Sequence, residues 1–340
     1  MGFMVDLLTY NGQTAYYTRA LANAKMKHEL HDYLIREIVD YAFDLHAFKF
    51  RCVDTIQRNE SRNISITYCC VLPNRKILTG NSDCILRVWK LKPWTVVGTL
   101  KGHEGCVHSS CVLANGNVVS AAEDSTLKLW DLESECCFAT LKGHSSVVTC
   151  CCVHPNSNII SASGDHSLKI WDLELMLCIA TLQGHSNGVN SCCVLPNGNI
   201  ISASSDKTLK IWDVASLSCI GTMQRHTSYV DYCDVLPNGR IISGSFDGTF
   251  KLWNMVSMEC VKTLENYIMK CCILPNGNVV SYGDQNLELW DANLLSRIAY
   301  TPFIGHMISC CALPNGNIVS VTEKGGMKLW ECIVMVNHNE

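Results

Sequence analysis

The sequence predicts an all-β fold in which seven similar four-stranded sheets form a ring, and three observations support this prediction. Residues 184–224 nearly repeat when the chain is shifted by 41 residues in either direction. Runs of apolar residues with strand character alternate with turn residues inside each copy. Seven tryptophans mark the copies, at spacings of 41 and then 37 and 40 residues. These tryptophans are Trp89, Trp130, Trp171, Trp212, Trp253, Trp290 and Trp330.

Four strands can be assigned within residues 184–224. GVNSCCVL ends at the Pro-Asn-Gly turn of residues 196–198, and both Asn and Gly tolerate a positive φ. NIISAS returns to a second turn at residues 205–207, TLKIWD alternates apolar and polar residues, and CIGTM is the fourth strand. One such sheet cannot bury both of its faces alone, so its copies must stack around an axis.

A period near 40 residues, with Gly-His near the start of a copy and Trp-Asp near its end, resembles the WD-repeat β-propeller family. The resemblance covers residues 48–335 and implies a seven-bladed propeller. Three regions follow: a helical N-terminal extension at residues 1–47, the propeller at 48–335, and a tail at 336–340.

The last copy stops soon after Trp330, without a full outer strand. Residues 51–57 (RCVDTIQ) align with residues 218–224 (SCIGTMQ), which form an outer strand in another copy. We therefore expect residues 51–57 to complete blade seven beside the strand that ends at Trp330. Such a strand would close the ring and leave no free edge.

The N-terminal extension is predicted to be helical. Residues 13–27 are alanine-rich, and residues 28–48 place Leu30, Leu34, Ile38 and Leu45 on an amphipathic stripe. The helices either pack on the side or end of the propeller or dock a partner. Residues 29–45 are faintly similar to the first helix of an F-box, the adaptor-binding module of some ubiquitin ligases.

Composition excludes several classes of function. With 27 basic and 31 acidic residues the net charge is −4, and no basic stripe indicates nucleic-acid binding. No apolar run is long enough to span a membrane, and no secretory signal is recognised. P-loop, HExxH and GxSxG motifs are missing. We therefore predict no enzyme activity, no catalytic residue, no cofactor and no metal site, and a soluble protein of the cytoplasm.

The 22 cysteines follow the repeat rather than a metal-binding or disulfide spacing. Free cysteine behaves as a small buried hydrophobe, so these columns predict packing, and so many free thiols favour a reducing compartment. One column of the innermost strand contains Cys69, Cys151, Cys192, Cys233, Cys271 and Cys310, and the next contains Cys70, Cys111, Cys152, Cys193, Cys272 and Cys311.

In the family that the chain resembles, His, Ser or Thr, Asp and Trp of one blade form a hydrogen-bonded tetrad. A Ser-His-Asp set also suggests acyl transfer, but four copies in one chain indicate architecture rather than catalysis. The matching sets are His103, Ser120, Asp124, Trp130; His144, Ser161, Asp165, Trp171; His185, Ser202, Asp206, Trp212; and His226, Ser243, Asp247, Trp253.

Blades six and seven depart from this pattern. Blade six lacks the Gly-His pair, His306 follows a shorter loop, and Lys324 stands where a turn aspartate is expected. One rim of the ring should therefore be shallower, which suggests a binding face.

Partner binding is expected on the face that carries the Gly-His and Asp turns, as the resemblance implies. There the aromatic side chains of blades five and six should be exposed, and Asp234, which replaces a cysteine, should accept a hydrogen bond from a basic ligand. The candidate residues are Tyr229, Asp231, Tyr232, Asp234, Phe246, Tyr267, Glu123 and His108.

The resulting functional prediction is a non-enzymatic scaffold or adaptor that binds protein or peptide partners. One alternative is a substrate receptor of a ubiquitin ligase, with residues 1–47 docking the ligase. A second is a bacterial or viral effector that imitates a scaffold in the host cytosol. A third is an enzyme that uses the central channel.

Overall fold

β-Strands account for the regular elements among the residues that the structure describes. The computed structural model describes residues 48–56, 64–265, 270–283, 286–291, 296–301, 306–322 and 326–334. The helices predicted within residues 1–47, and the tail at 336–340, lie outside these segments. Within them 28 strands follow one another with no helix between them, so the predicted all-β fold is confirmed.

The strands form seven four-stranded sheets, which are the blades. Blades one to six each use four consecutive strands in chain order. The seven blades predicted from the seven tryptophans are therefore confirmed. Blade one contains β2 (Ile66–Val71), β3 (Ile77–Asn81), β4 (Leu86–Leu91) and β5 (Trp94–Leu100). Blade two contains β6 (Val107–Val112), β7 (Val118–Ala122), β8 (Thr126–Asp131) and β9 (Cys136–Lys142). Blade three contains β10 (Val148–Val153), β11 (Ile159–Ser163), β12 (Ser167–Asp172) and β13 (Leu177–Gln183).

Blades four to six repeat this order with slightly shorter strands, whereas blade seven combines β1 with the last three strands of the chain. Blade four contains β14 (Val189–Val194), β15 (Ile200–Ser204), β16 (Leu209–Asp213) and β17 (Ser218–Met223). Blade five contains β18 (Val230–Val235), β19 (Ile241–Ser245), β20 (Phe250–Trp253) and β21 (Cys260–Leu264). Blade six contains β22 (Lys270–Ile273), β23 (Val279–Tyr282), β24 (Leu287–Trp290) and β25 (Arg297–Thr301). Blade seven contains β1 (Phe48–Ile56), β26 (Met307–Ala312), β27 (Ile318–Thr322) and β28 (Met327–Val334).

Seven apolar layers, one between each pair of neighbouring blades, hold the ring together. Between blades three and four, for example, Ile160 packs with Ile200. The layer between blades seven and one contains Val319 and Ile77, so the stack closes on itself. Second strands such as β11 and β15 are buried on both faces, which explains their uninterrupted apolar and small residues.

The innermost strand is the first strand in blades one to six and β26 in blade seven, and each contacts the innermost strands of its neighbours around the axis. These strands form the wall of the central channel that a propeller encloses. Every described member of the first predicted cysteine column is at most 8% exposed in this wall. The packing role predicted for that column is therefore confirmed.

Blade seven takes one strand from the other end of the chain. Its sheet has the order β1-β28-β27-β26. The Arg51 guanidinium lies 2.7 Å from the Glu331 carboxylate of β28. Val53 and Ile56 pack against the apolar layer between blades seven and one. This strand ends at Ile56, and residue 57 of the predicted outer strand lies outside the described segments.

The turns between the first and second strands share one backbone conformation. In blade four Gly198 has a φ of 86°, and its N–H donates to the Leu195 carbonyl at 2.9 Å. Gly239 of blade five has the same conformation, with a φ of 78°. At this turn position blade one has Arg75, with a φ of 62°, although a residue with a Cβ is strained in this left-handed region.

Arg75→Gly should therefore stabilise the protein, by about 0.5–1 kcal/mol in the free energy of unfolding, because glycine removes the strain. Gly239→Ala should destabilise it by about 1 kcal/mol. An added Cβ at Gly239 meets no atom within 4 Å, so its effect isolates the backbone conformation from packing. Urea titration of both variants measures the changes, and equal signs for the two substitutions would contradict this account.

Candidate interaction surface

Loops that carry the repeated histidines meet the turns that carry the repeated aspartates on one face of the ring, which we call the turn face. In blade two, His103 Nδ1 lies 2.7 Å from Asp124 Oδ2, and His103 Nε2 lies 2.6 Å from Ser120 Oγ. Trp130 Nε1 donates to the same Ser120 oxygen at 2.7 Å. The Glu104 amide also donates to Asp124, at 3.0 Å. One carboxylate thus joins the histidine loop to the aspartate turn.

Blades three, four and five repeat this arrangement. Their His–Asp distances are 2.7, 2.6 and 2.9 Å, and their His–Ser distances are 2.7, 2.7 and 2.8 Å. The tryptophan N–H donates to the serine oxygen at 2.8 Å in all three. The structure therefore brings together each of the four residue sets singled out in the sequence. The joined turns make the turn face a rigid surface.

Neutral histidine satisfies every partner in these tetrads. Burial lowers the pKa of His103, His144 and His226, against the opposing effect of each partner aspartate. A neutral ring donates from Nδ1–H to the carboxylate and accepts the serine hydroxyl hydrogen at Nε2, while the serine oxygen accepts the indole N–H. The serine hydroxyls are buried and fully bonded, which favours an architectural role.

Blade one stabilises its turn differently. Its aspartate, Asp83, accepts a hydrogen bond from Arg87 Nη1 at 2.9 Å, and Trp89 Nε1 donates to Thr79 Oγ1 at 2.9 Å. Burial acts to raise the pKa of Asp83, but the Arg87 hydrogen bonds and charge lower it. Sequence reasoning missed this pair. The sequence feature that indicates the pair is an arginine four residues after the aspartate, at the position that lysine takes in blades two to five.

Blades six and seven keep the tryptophan–serine bond, at 2.8 Å from Trp290 to Ser281 and from Trp330 to Ser320. The loops for which a shallow rim was predicted fall largely on residues 266–269, 284–285, 302–305 and 323–325, outside the described segments. Tyr267 is among those residues. The shallow rim therefore stays a prediction.

Two aromatic side chains of blade five are exposed together on the turn face. Tyr229 is 50% exposed and Phe246 is 49% exposed. The Phe246 N–H donates to the Tyr229 carbonyl at 3.0 Å, so the loop before β18 and the turn after β19 are fixed to each other. His226 and Asp247 of the adjacent tetrad flank the pair in sequence. The two rings are thus presented by rigid backbone.

Tyr232 does not belong to this exposed pair, contrary to the prediction. It points along the channel wall, where its hydroxyl lies 2.7 Å from Asp234 Oδ2 and 3.1 Å from the Cys271 carbonyl of blade six. The prediction was wrong because the tyrosine ring packs into the apolar layer between blades five and six.

Asp234 is likewise engaged rather than free for a basic ligand. Besides the Tyr232 hydroxyl, its carboxylate accepts the Val235 N–H at 2.8 Å. Burial raises the pKa of Asp234, against the lowering effect of the Tyr232 hydroxyl. The carboxylate therefore serves the contact between blades five and six, and the proposed ligand contact has no support here.

Asp231 lies on β18 three residues before Asp234 and closer to the turn face, and it differs from its counterparts in other blades. At this position Thr149 donates to the Val189 carbonyl of the next blade at 2.7 Å, and Asn190 donates to the Val230 carbonyl at 2.9 Å. Within the described part of the chain, the Asp231 carboxylate forms no hydrogen bond or ion pair. This part-buried acid, which has no partner among the described residues, thus lies two residues after the exposed Tyr229.

His108 occupies the same position in blade two and turns to its own blade. Its Nε2 lies 3.3 Å from Glu123 Oε1, and Glu123 also accepts the Cys106 N–H at 3.3 Å. Burial lowers the pKa of His108, against the opposing charge of Glu123. The two candidates predicted in blade two are thus brought together with each other, on the opposite part of the rim from Tyr229.

Comparison with protein families identifies the class of protein. Five segments match the WD40 family, described as WD domain, G-beta repeat: residues 50–90, 94–131, 135–172, 176–213 and 217–254. These segments cover more than half of the chain, which therefore belongs to the WD40 repeat family. Propellers of this family are commonly protein-interaction scaffolds and are generally non-enzymatic. No curated protein matches the sequence significantly.

Across the residues that the structure describes, no helix is long and apolar enough to cross a membrane. The same residues contain no group of three or more His, Cys, Asp or Glu side chains arranged to hold a metal ion.

Acidification should destabilise the propeller in two steps. The pKa values of His103, His144 and His226 are lowered in the folded state, so these histidines take up protons first in the unfolded state, and stability is lost as pH falls below about 6.5. Burial acts to raise the pKa of Asp165, but hydrogen bonds from Ser167 and His144 lower it to about 2. Its stabilising effect is therefore lost only below about pH 4, towards pH 2.

Thermal unfolding measured between pH 7.5 and pH 2 tests this expectation. His103→Gln removes one titrating ring and should make the fall between pH 6.5 and pH 5 less steep, while the contribution of Asp165, in another blade, below pH 4 should remain. A midpoint that stays constant from pH 7.5 to pH 5 would contradict the neutral tetrads.

Proposed function

We propose that this protein is a non-enzymatic scaffold that binds a protein or peptide partner on the turn face, centred on blade five. The observation that carries the proposal is the pair Tyr229 and Phe246. Both rings are half exposed, and a backbone hydrogen bond joins the two residues that carry them. Rigid aromatic side chains bury a large area at low entropic cost, and such residues are typical anchors at protein interfaces.

The neighbouring charge favours a partner with a basic group next to an apolar one. Asp231 follows Tyr229 by two residues and forms no ion pair with a described residue. A lysine or arginine of the partner would satisfy this carboxylate while an adjacent apolar side chain covers the aromatic pair. Charge-assisted hydrogen bonds of this kind fix the orientation of a bound segment.

The cellular setting of the proposal follows from the thiols. All 21 cysteines whose side chains the structure describes are free, and such a number of reduced thiols suits the cytoplasm. The alternative role as a ubiquitin-ligase substrate receptor depends on residues 1–47, which lie outside the described segments, and none of the described residues adds support to it.

Peptides selected from a random library against the immobilised protein provide the test of this function. Tyr229→Ala with Phe246→Ala should weaken binding of a selected peptide at least about tenfold, since interface anchors each contribute more than about 1 kcal/mol. The matched control is Phe138→Ala with Ile220→Ala, two side chains that are 48% and 50% exposed on the outer strands β9 and β17. Calorimetric titration compares the affinities.

If the control variant loses as much affinity as the blade-five variant, the exposed apolar side chains bind without preference and the proposed surface is wrong. Unchanged affinity in the blade-five variant would also contradict the proposal. An Asp231→Asn variant separates the contribution of the carboxylate from that of the aromatic pair, because it should weaken the binding only of peptides that contain a basic residue.

We also propose that β1 closes the propeller as the outer strand of blade seven. The first family match begins at residue 50, inside β1, which is how a repeat that starts with an outer strand would begin. The apolar contacts of Val53 and Ile56 support this role more than the Arg51–Glu331 pair does, because Arg51 is 63% exposed and exposed ion pairs contribute little.

Val53→Asp should therefore loosen the closure and lower the free energy of unfolding by about 1–3 kcal/mol, while Arg51→Ala should change it by less than about 1 kcal/mol. Amide hydrogen exchange of β28 gives the local readout, since its amides should exchange faster in the Val53 variant. Equal exchange of β28 in both variants and the wild type would show that β1 does not close the ring.

A further inference from the structure

Thiols of neighbouring blades contact each other where the second cysteine column of one blade meets the first column of the next. The sulfurs of Cys272 in blade six and Cys310 in blade seven lie 3.2 Å apart. The sulfurs of Cys152 in blade three and Cys192 in blade four lie 3.9 Å apart. A disulfide bond has a sulfur–sulfur distance of about 2.0 Å, so the pair in blades six and seven needs the smaller movement to form one.

Both members of this pair lie in the apolar layer between blades six and seven. Cys310 belongs to the buried part of the layer, and the partly exposed Cys272 packs against it. Regular strand pairing fixes both backbones, because Cys272 pairs with Val280 and Cys310 pairs with Ser320. The two sulfurs are therefore held in contact by strands of two different blades.

The channel wall at this junction differs from the wall at the other six. In the other blades, the residue directly before the first cysteine column uses its side chain to bond to the backbone of the following blade. The Tyr68 hydroxyl, for example, donates to the Ser110 carbonyl at 2.9 Å, and Ser309 Oγ accepts the Cys69 N–H at 3.2 Å. Lys270 holds this position in blade six, and its side chain forms no hydrogen bond with a described residue.

A covalent bond would therefore strengthen a junction whose channel wall lacks this repeated contact. The Tyr282 hydroxyl, which donates to the Ile308 carbonyl at 2.9 Å, crosses the same junction from the second strand of blade six. Blade seven also contains β1, the strand from the other end of the chain. A link between blades six and seven would thus hold the blade that is assembled from both ends of the chain.

We propose that Cys272 and Cys310 are a redox-sensitive thiol pair that hydroperoxides convert into a disulfide, which links blade six to blade seven and stabilises the ring. Sulfenic acid that forms next to a second thiol condenses with it to a disulfide, and other thiols reverse the reaction by exchange. This modification site is independent of partner binding on the turn face. Its reagent class is the hydroperoxides, of which hydrogen peroxide is the smallest.

The chemistry takes two balanced steps. One sulfur of the pair, as the thiolate, attacks a peroxide oxygen, the O–O bond breaks, and sulfenic acid forms while hydroxide leaves and takes up the released thiol proton. The second sulfur then attacks the first, the S–O bond breaks, and water leaves with the second thiol proton. Two thiols and one hydrogen peroxide thus give one disulfide and two waters, with two electrons passing from sulfur to peroxide.

Titration of the reduced full-length protein with limiting hydrogen peroxide tests the proposal. The remaining thiols are then alkylated, and the linked peptides are identified by mass spectrometry without reduction. Fragment ions must distinguish Cys272 from Cys271 and Cys310 from Cys311, because these cysteines are adjacent in the chain. The Cys272–Cys310 linkage should form first, and dithiothreitol should remove it.

The Cys152–Cys192 pair is the internal comparison in the same sample, because its sulfurs are also in contact but lie farther apart. Its linkage should appear only at higher peroxide. If this linkage or any other forms before Cys272–Cys310, the proposal is overturned, and this result requires no variant that could fail to fold.

Thermal unfolding of the oxidised protein provides the second measurement. Oxidation should raise the unfolding midpoint of the wild type, because a disulfide restricts the unfolded chain. Cys272→Ser and Cys310→Ser should each abolish this increase, whereas Cys219→Ser, which changes an exposed cysteine of β17, should retain it. An unchanged midpoint in the oxidised wild type, or an increase that persists in both of the first two variants, would contradict a stabilising link between blades six and seven.

Discussion

Each blade is a sheet with two apolar faces, and this constraint determines most of the structure. A single four-stranded sheet cannot bury both faces, but seven of them in a ring bury every face against a neighbour. The layer that joins Val319 of blade seven to Ile77 of blade one completes the series. Because all seven layers are equivalent, no blade can be removed without exposing two faces, and the second strands tolerate only apolar or small residues.

The tetrads convert this packed ring into a surface with fixed geometry. Each buried histidine connects a loop to a turn through charged and neutral hydrogen bonds, so the side chains on those segments need little further ordering when a partner binds. Residues that recur from blade to blade form these hydrogen bonds, whereas residues that differ between blades are available to contact a partner and determine its specificity. Tyr229, Phe246 and Asp231 lie on the turn face.

The repeat made the fold, the blade count and the tetrads predictable, because each depends on residues that recur at a fixed spacing. Contacts between blades were less predictable, since they join residues about 40 positions apart whose side-chain directions depend on strand register. Tyr232 was expected at the surface but reaches Cys271 across that gap. The pair of Asp83 and Arg87 was missed because in blade one an arginine, rather than a histidine, bonds to the turn aspartate.

The central claim is that a partner binds the turn face at blade five, and hydrogen–deuterium exchange of the protein with and without a bound selected peptide tests it most directly. The account predicts slower exchange for the amides of residues 226–231 and 245–249, with no change in the outer strands β9, β13 and β17. Protection confined to those outer strands, whose side chains include the exposed Phe138 and Ile179, would contradict it and would move the binding surface to the circumference of the ring.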